Sequence, residues 1–153
     1  MTHAHPAPGS HELVEAARAT LAAGGVQWTE LRAQIFAVLV ESAHAVSAYD
    51  VSEQVSFRMG RRIAANSVYR ILDLFVTHNL AKRVESRNAY VANVHPACRH
   101  DCIFLVCEAC GGIEHLDDDR LGAEMRARAA DLGFLAKRPA LELIGQCRRC
   151  RGL

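Results

Sequence analysis

Two short cysteine pairs carry the plainest chemistry in this chain: Cys107-Glu108-Ala109-Cys110 and Cys147-Arg148-Arg149-Cys150. Two thiols separated by two residues can be aimed at one point by a tight turn. Two such turns, brought together by a fold, supply four thiolates in a tetrahedron, the arrangement a structural zinc ion takes. A four-sulfur shell is closed, with no position left for water or substrate, so it builds structure and does not hydrolyse anything. The chain holds six cysteines in all. They could form three disulfides in an oxidising compartment, but in a reducing cytoplasm the paired spacing reads as metal.

Catalysis has no such support. There is no Ser/His/Asp set, no Gly-rich phosphate loop and no carboxylate pair in an apolar setting. The expectation is a protein that is not an enzyme and has no small-molecule substrate. No apolar run approaches membrane-spanning length, and no charged N-terminal region precedes an apolar core, so a soluble, cytoplasmic protein is expected.

The 153 residues, half of them hydrophobic, suffice for one well-packed domain or two small ones. The net charge of +1 hides an uneven distribution. Between Arg58 and Arg87 stand seven basic residues (Arg58, Arg61, Arg62, Arg70, Lys82, Arg83, Arg87) against two acidic ones, Asp73 and Glu85. That local excess is the electrostatic footprint of a nucleic-acid binder.

The elements that must position these groups follow from capping residues and apolar spacing. Residues 1–10 read as a mobile tail in which His3 and His5 are plain polar residues. Ser10 is placed to cap a first helix with Leu13, Ala17 and Leu21 on one stripe, ended by Gly24-Gly25. Thr29 caps a second helix with Leu31, Ile35, Val38 and Leu39 inside. Ser47 caps a third with Tyr49, Val51 and Val55 inside, stopped by Gly60. A fourth is expected to start at Asn66-Ser67 and run to His78, burying Val68, Ile71, Leu72 and Phe75. Two extended runs, 81–85 and 89–94, flank a turn at Ser86-Arg87-Asn88. A helix cluster followed by a hairpin is the outline of a winged helix-turn-helix.

Residues 93–102 read as a hinge, rich in metal-ligand types. A second unit then follows: a strand over 103–107, another over 112–116, and a helix capped by Asp117-Asp118-Asp119 and stopped by Gly133. A third strand, over 140–146, runs into the last cysteine pair. The fourth helix is the candidate recognition helix. Asn66, Ser67, Tyr69 and Arg70 lie in its first turns, where short polar residues and a guanidinium can contact base edges and phosphates. Arg61, Arg62, Lys82, Arg83 and Arg87 are candidate phosphate contacts.

The run Val68-Tyr69-Arg70-Ile71-Leu72-Asp73, then His78-Asn79-Leu80, then 84–91 with its Glu-Ser-Arg-Asn-Ala-Tyr-Val hairpin, resembles the ferric uptake regulator (Fur) family. With Cys107-x-x-Cys110-Gly and Cys147-x-x-Cys150, the resemblance is closest to its zinc uptake regulator (Zur) branch and covers about Val26 to Cys150. It implies a dimeric, metal-dependent repressor of metal-uptake genes. The N-terminal winged helix would bind operator DNA, the C-terminal unit would dimerise, and the four paired cysteines would hold the structural zinc.

The resemblance also implies a sensory site. The matching positions are Lys82, Asn93, His100 and His115. His100 keeps the expected type, and His115 replaces a carboxylate with another zinc ligand. Lys82 and Asn93 are poor ligands, because an ammonium has no lone pair and an amide is weak for zinc. A shifted site drawn from His95, Cys98, His100, Cys102 and His115 is the candidate instead. Cys102 turned into the core and Cys98 as a free thiol form the opposing reading. His44 is read as a plain loop histidine.

The expected fold is therefore α+β. It has a winged-helix DNA-binding domain over 11–92, a hinge over 93–102, and a small α/β dimerisation domain with structural zinc over 103–153. The expected partners are double-stranded DNA and a second copy of the chain, with zinc as structural and regulatory ion. Three alternatives remain: a family member answering to iron, manganese, nickel or peroxide; a relative whose sensing site has decayed; and a zinc-ribbon interaction module or zinc enzyme.

Overall fold

Glycines and small polar residues set most of the helix ends in the first half of the chain. The structure is a computed structural model that describes residues 9–94, 102–137 and 141–153. The chain divides into two compact units, one spanning Pro6–Cys98 and the other containing Arg99–Leu153.

The first unit holds α1 (Ser10–Ala23), α2 (Glu30–Glu41), α3 (Ala48–Met59), α4 (Ala65–Thr77), β1 (Ala81–Val84) and β2 (Ala89–Ala92). Thr29 caps α2 by accepting from the Arg32 amide at 3.3 Å. Ser47 and Asp50 close a reciprocal capping box on α3. Gly60 ends α3 at φ 63°, the left-handed region glycine enters without a Cβ penalty. Ser10 is not a cap: it is the first helical residue, and Gly9 precedes it, its amide held by Glu12.

The core follows the helical period. Leu13, Ala17 and Leu21 of α1, Ile35, Phe36, Val38 and Leu39 of α2, Val51 and Val55 of α3, and Val68, Leu72 and Phe75 of α4 are all buried. Each Val, Leu, Ile or Phe among them contributes about 1.5–3 kcal/mol by leaving water. Trp28, Phe36 and Phe75 join the helices at the centre, with ring centroids 5.5–6.5 Å apart. Three expectations are corrected here, the first being Leu31, which packs against the core but is only half-buried. Tyr49 is 68% exposed, because Ala48 takes the inward slot with Val51 and Val55, and one residue turns a helix by about 100°. Ile71 lies at the edge of the α4 stripe and is half-buried.

α4 also starts one residue earlier than Asn66, after Ala64, and no side chain caps it. Its far end is closed by a Schellman motif. The Leu80 amide donates to the Phe75 carbonyl at 2.8 Å and the Asn79 amide to the Val76 carbonyl at 3.1 Å. Asn79 takes the left-handed conformation at φ 59°. The chain then enters the antiparallel hairpin β1–β2, with Ala81 opposite Ala92 and Val84 opposite Ala89. Both strands end at least a residue short of the sequence expectation. Glu85–Arg87 form one 3-10 turn, and Asn88 supplies the left-handed residue at φ 47°. A bridge between Val46 and Tyr90 attaches the hairpin to the segment before α3.

The second unit holds β3 (Cys102–Cys107), β4 (Ile113–Asp117), α5 (Asp119–Asp131) and β5 (Leu141–Gly145). The sheet order is β4-β3-β5. β3 runs antiparallel to β4 and parallel to β5, with Ile103 opposite both Leu116 and Leu141. Asp118 caps α5 by accepting from the Arg120 and Leu121 amides. Gly122 is the buried residue of that helix.

Candidate metal centre and nucleic-acid interface

Each cysteine pair sits on a turn closed in the same way. The Gly111 amide donates to the Cys107 carbonyl at 2.9 Å, and the Arg151 amide to the Cys147 carbonyl at 3.0 Å. The first turn follows β3 and the second follows β5, so the parallel pairing of these strands delivers both turns to one end of the sheet. The Glu108 amide donates to the Gly145 carbonyl at 2.8 Å and locks the two together. At Gly112 a Cβ would lie 3.2 Å from Cys110 Sγ, so glycine leaves room for the sulfur.

All four sulfurs lie within 4.8 Å of one another. A tetrahedron with Zn–S bonds of about 2.3 Å has sulfur–sulfur edges of about 3.8 Å. Cys110 Sγ and Cys147 Sγ stand 3.8 Å apart. The residues therefore fit a structural zinc, in number, type and spacing.

The electrostatics agree with that assignment. The Cys147 backbone N–H, which donates to Cys107 Sγ at 3.3 Å, lowers the Cys107 thiol to about 6. The Gly112 amide lowers Cys110. Cys150, sharing hydrogen bonds first with Cys147 and then with Cys110, is pushed up to about 12. Four crowded thiols cannot all ionise alone, and a dication supplies the missing compensation. Arg149 is held above its ordinary range by the Cys110 sulfur.

The candidate sensory residues are only partly placed. His95, Cys98 and His100 lie outside the described residues. The β3–β4 register sets Cys102 opposite Asp117 and Phe104 opposite His115. His115 is exposed, its ring 5.8 Å from that of Phe104. His44 is exposed in the bend before α3.

The nucleic-acid candidates group around α4. Asn66, Ser67 and Arg70 are exposed on its first turns. Tyr69 is half-buried and meets the exposed Tyr49 edge-on, with centroids 6.1 Å apart. The sequence reading sets Tyr49 in the core, and the one signal against that is Ala48 beside it, which takes the inward slot. Arg61 and Arg62 are exposed in the loop after Gly60. That loop is pinned at Ile63, whose carbonyl accepts from Ser52 Oγ at 2.6 Å and whose amide donates to Ser56 Oγ at 2.9 Å. An uncapped helix start leaves backbone amides without helical acceptors, and arginines beside it add the positive charge that an anion would need.

On the hairpin the basic residues differ. Arg83 pairs with Glu85 at 3.2 Å, donates to Asn88 Oδ1 at 2.8 Å, and lies over the Tyr90 ring. Its guanidinium shapes the hairpin before it meets any phosphate. Lys82 Nζ donates to Asn79 Oδ1 at 2.6 Å. Arg87 is exposed at the turn. Asn79 is a further residue that sequence reasoning passed over. Its signal is the helix–Asn–Leu order, which places asparagine where a helix ends left-handed.

Comparison with known proteins agrees with this geometry. The sequence model of the ferric uptake regulator family matches residues 23–144. The zinc uptake regulation protein of Escherichia coli (strain K12) is 25% identical over 142 residues, 92% of this chain and 82% of that protein. The crystal structure of holo XcZur superposes with a TM-score of 0.81 at 30% identity, covering 93% of this chain and 99% of that one. A zinc uptake regulator complexed with zinc and DNA shares the fold, with a TM-score of 0.83 at 24% identity over 95% and 97% of the two chains. With helices, hairpin, paired cysteines and a match over most of its length, this chain belongs to the ferric uptake regulator family.

Proposed function

We propose that this protein is a zinc-responsive transcriptional repressor that binds operator DNA of metal-uptake genes as a homodimer. The observation that carries the reading is the uncapped, exposed start of α4, with Asn66, Ser67 and Arg70 outward and Arg61 and Arg62 beside it. It stands in a chain whose relatives include a zinc uptake regulation protein. One structure of the same fold is a zinc uptake regulator bound to zinc and DNA. A two-fold dimer would place two copies of α4 in successive major grooves of a pseudo-palindrome.

The second unit supports dimerisation. β5 is the last strand of its sheet among the described residues. Leu143 and Ile144 on it are each 62% exposed, and Met125, Leu132, Phe134 and Leu135 are exposed as well. Apolar side chains left exposed on both β5 and α5 suit burial against a second copy of the chain. The protein acts as a regulator and not as an enzyme, since its four-sulfur shell leaves a zinc no open position. No described helix is long and apolar enough to cross a membrane, and a cytoplasmic location suits its DNA partner. The regulatory ion is assigned to His100 and His115 with ligands drawn from His95, Cys98 and Cys102. Metal in that site would favour the DNA-ready state through differential affinity.

The test is a count of metal per chain before and after mild chelation, with DNA binding measured alongside. One retained zinc plus one exchangeable zinc that switches DNA binding is the expected result. Constitutive DNA binding with one zinc would remove the zinc response, and no DNA binding in any metal state would overturn the repressor reading.

A further inference from the structure

Asn79 ties the end of α4 to the hairpin through two of its groups. Its side-chain oxygen accepts from Lys82 Nζ at 2.6 Å. Its backbone carbonyl accepts from Asn93 Nδ2, also at 2.6 Å. The Asn93 backbone amide donates to the Leu80 carbonyl at 2.9 Å, extending the ladder one step beyond β2. Register explains the meeting. Lys82 stands opposite Val91, and Asn93 lies two residues beyond Val91, so strand alternation puts Lys82 and Asn93 on one face. Asn93 is 5% exposed. At that burial an amide holds its place by hydrogen bonds.

The resemblance to the zinc branch implies metal ligands at these two hairpin positions. The groups present do not fit a metal. A protonated amine offers no lone pair, the Asn93 side-chain nitrogen is a donor, and an amide oxygen is a weak ligand for zinc. The ammonium also brings a positive charge to a position where the resemblance implies a ligand for a dication.

We propose that Lys82, Asn79 and Asn93 form a metal-free clasp that holds the hairpin to the end of α4, and that the hairpin supplies no ligand to the regulatory zinc. The ammonium makes permanently, as part of the chain, a cross-link that a metal would make only when bound. The angle between recognition helix and hairpin is then independent of zinc. The regulatory ion acts without remodelling the winged-helix unit. The inference rests on the zinc-responsive reading only where it speaks of that ion.

The experiment uses the full-length protein with its structural zinc, stripped of exchangeable metal by mild chelation. Amide hydrogen exchange at Asn93 and Lys82 is followed with and without added zinc. Zinc affinity is measured by chelator competition for wild type, Lys82→Met and Asn93→Ala. Wild-type protection at Asn93 is expected to be the same in both metal states, and to fall about tenfold or more in Lys82→Met in both. Each variant is expected to bind exchangeable zinc within about twofold of wild type, whereas loss of a ligand or its support costs about 10–100-fold. A tenfold loss of zinc affinity in either variant, or a zinc-dependent rise in wild-type protection at Asn93, overturns the clasp. The wild-type comparison decides the matter even if a variant folds poorly. A wild type that binds no exchangeable zinc defeats the zinc response alone, and the clasp then stands or falls on Asn93 protection in Lys82→Met.

Discussion

The backbone amide of Cys147 donates to the sulfur of Cys107 over 3.3 Å, across 40 residues of sequence. One turn thus stabilises the thiolate of the other. The bond exists because β5 lies parallel to β3, with Gly145 opposite Cys107. The metal centre and the sheet are a single cooperative structure, so loss of either loosens both.

Cys107→Ser removes a buried sulfur, the Cys147 contact and a zinc ligand at once. The expected outcome is loss of bound zinc and of amide protection along β3 and β5, with the winged-helix unit still folded. Elemental analysis with hydrogen exchange checks it, and unchanged zinc content would refute the structural-site assignment.

Arg70→Ala tests the reading of α4. Arg70 is exposed on the second turn, so thermal stability should hold. Specific DNA affinity should fall by about 1–3 kcal/mol, with discrimination relaxed at one base pair. Arg83→Ala should instead disturb the hairpin, because it removes the contacts to Glu85 and Asn88. Binding isotherms on operator and mismatched DNA separate the two effects.

Gly60→Ala isolates backbone strain. A Cβ at Gly60 meets nothing within 4 Å, yet φ is 63°. The cost is conformational, about 1 kcal/mol. Gly60→Asn should cost less, because asparagine enters the left-handed region more readily. Denaturation midpoints of the three proteins rank the values.

Burial, and next the charge of Asp73, hold the Tyr90 phenol above its ordinary value. An unfolded chain ionises tyrosine at about pH 10. The stabilisation from keeping Tyr90 neutral is therefore complete below that pH. It is lost as pH rises through the higher folded value. Tyr90→Phe should flatten the alkaline limb of stability, read from urea midpoints between about pH 8 and about pH 11.

Much of this molecule is written in local sequence. The Cys-x-x-Cys spacing fixes two sulfurs on one turn, because a turn is only a few bonds long. Thr29, Ser47 and Gly60 announce helix ends through groups one to three residues away. The stripe Val68, Leu72, Phe75 follows from the helical period. The family resemblance rests on the same kind of local runs.

The tertiary structure decided what depends on register and on facing elements. It joined the two cysteine turns through a parallel strand pair that no spacing encodes. It turned Tyr49 outward, because the inward slot beside it went to Ala48. It made Lys82 and Arg83, alike as neighbouring basic residues in the sequence, into partners of Asn79 and of Glu85. Alternation along a strand sends neighbours to opposite faces, and what waits on each face is set by the rest of the fold.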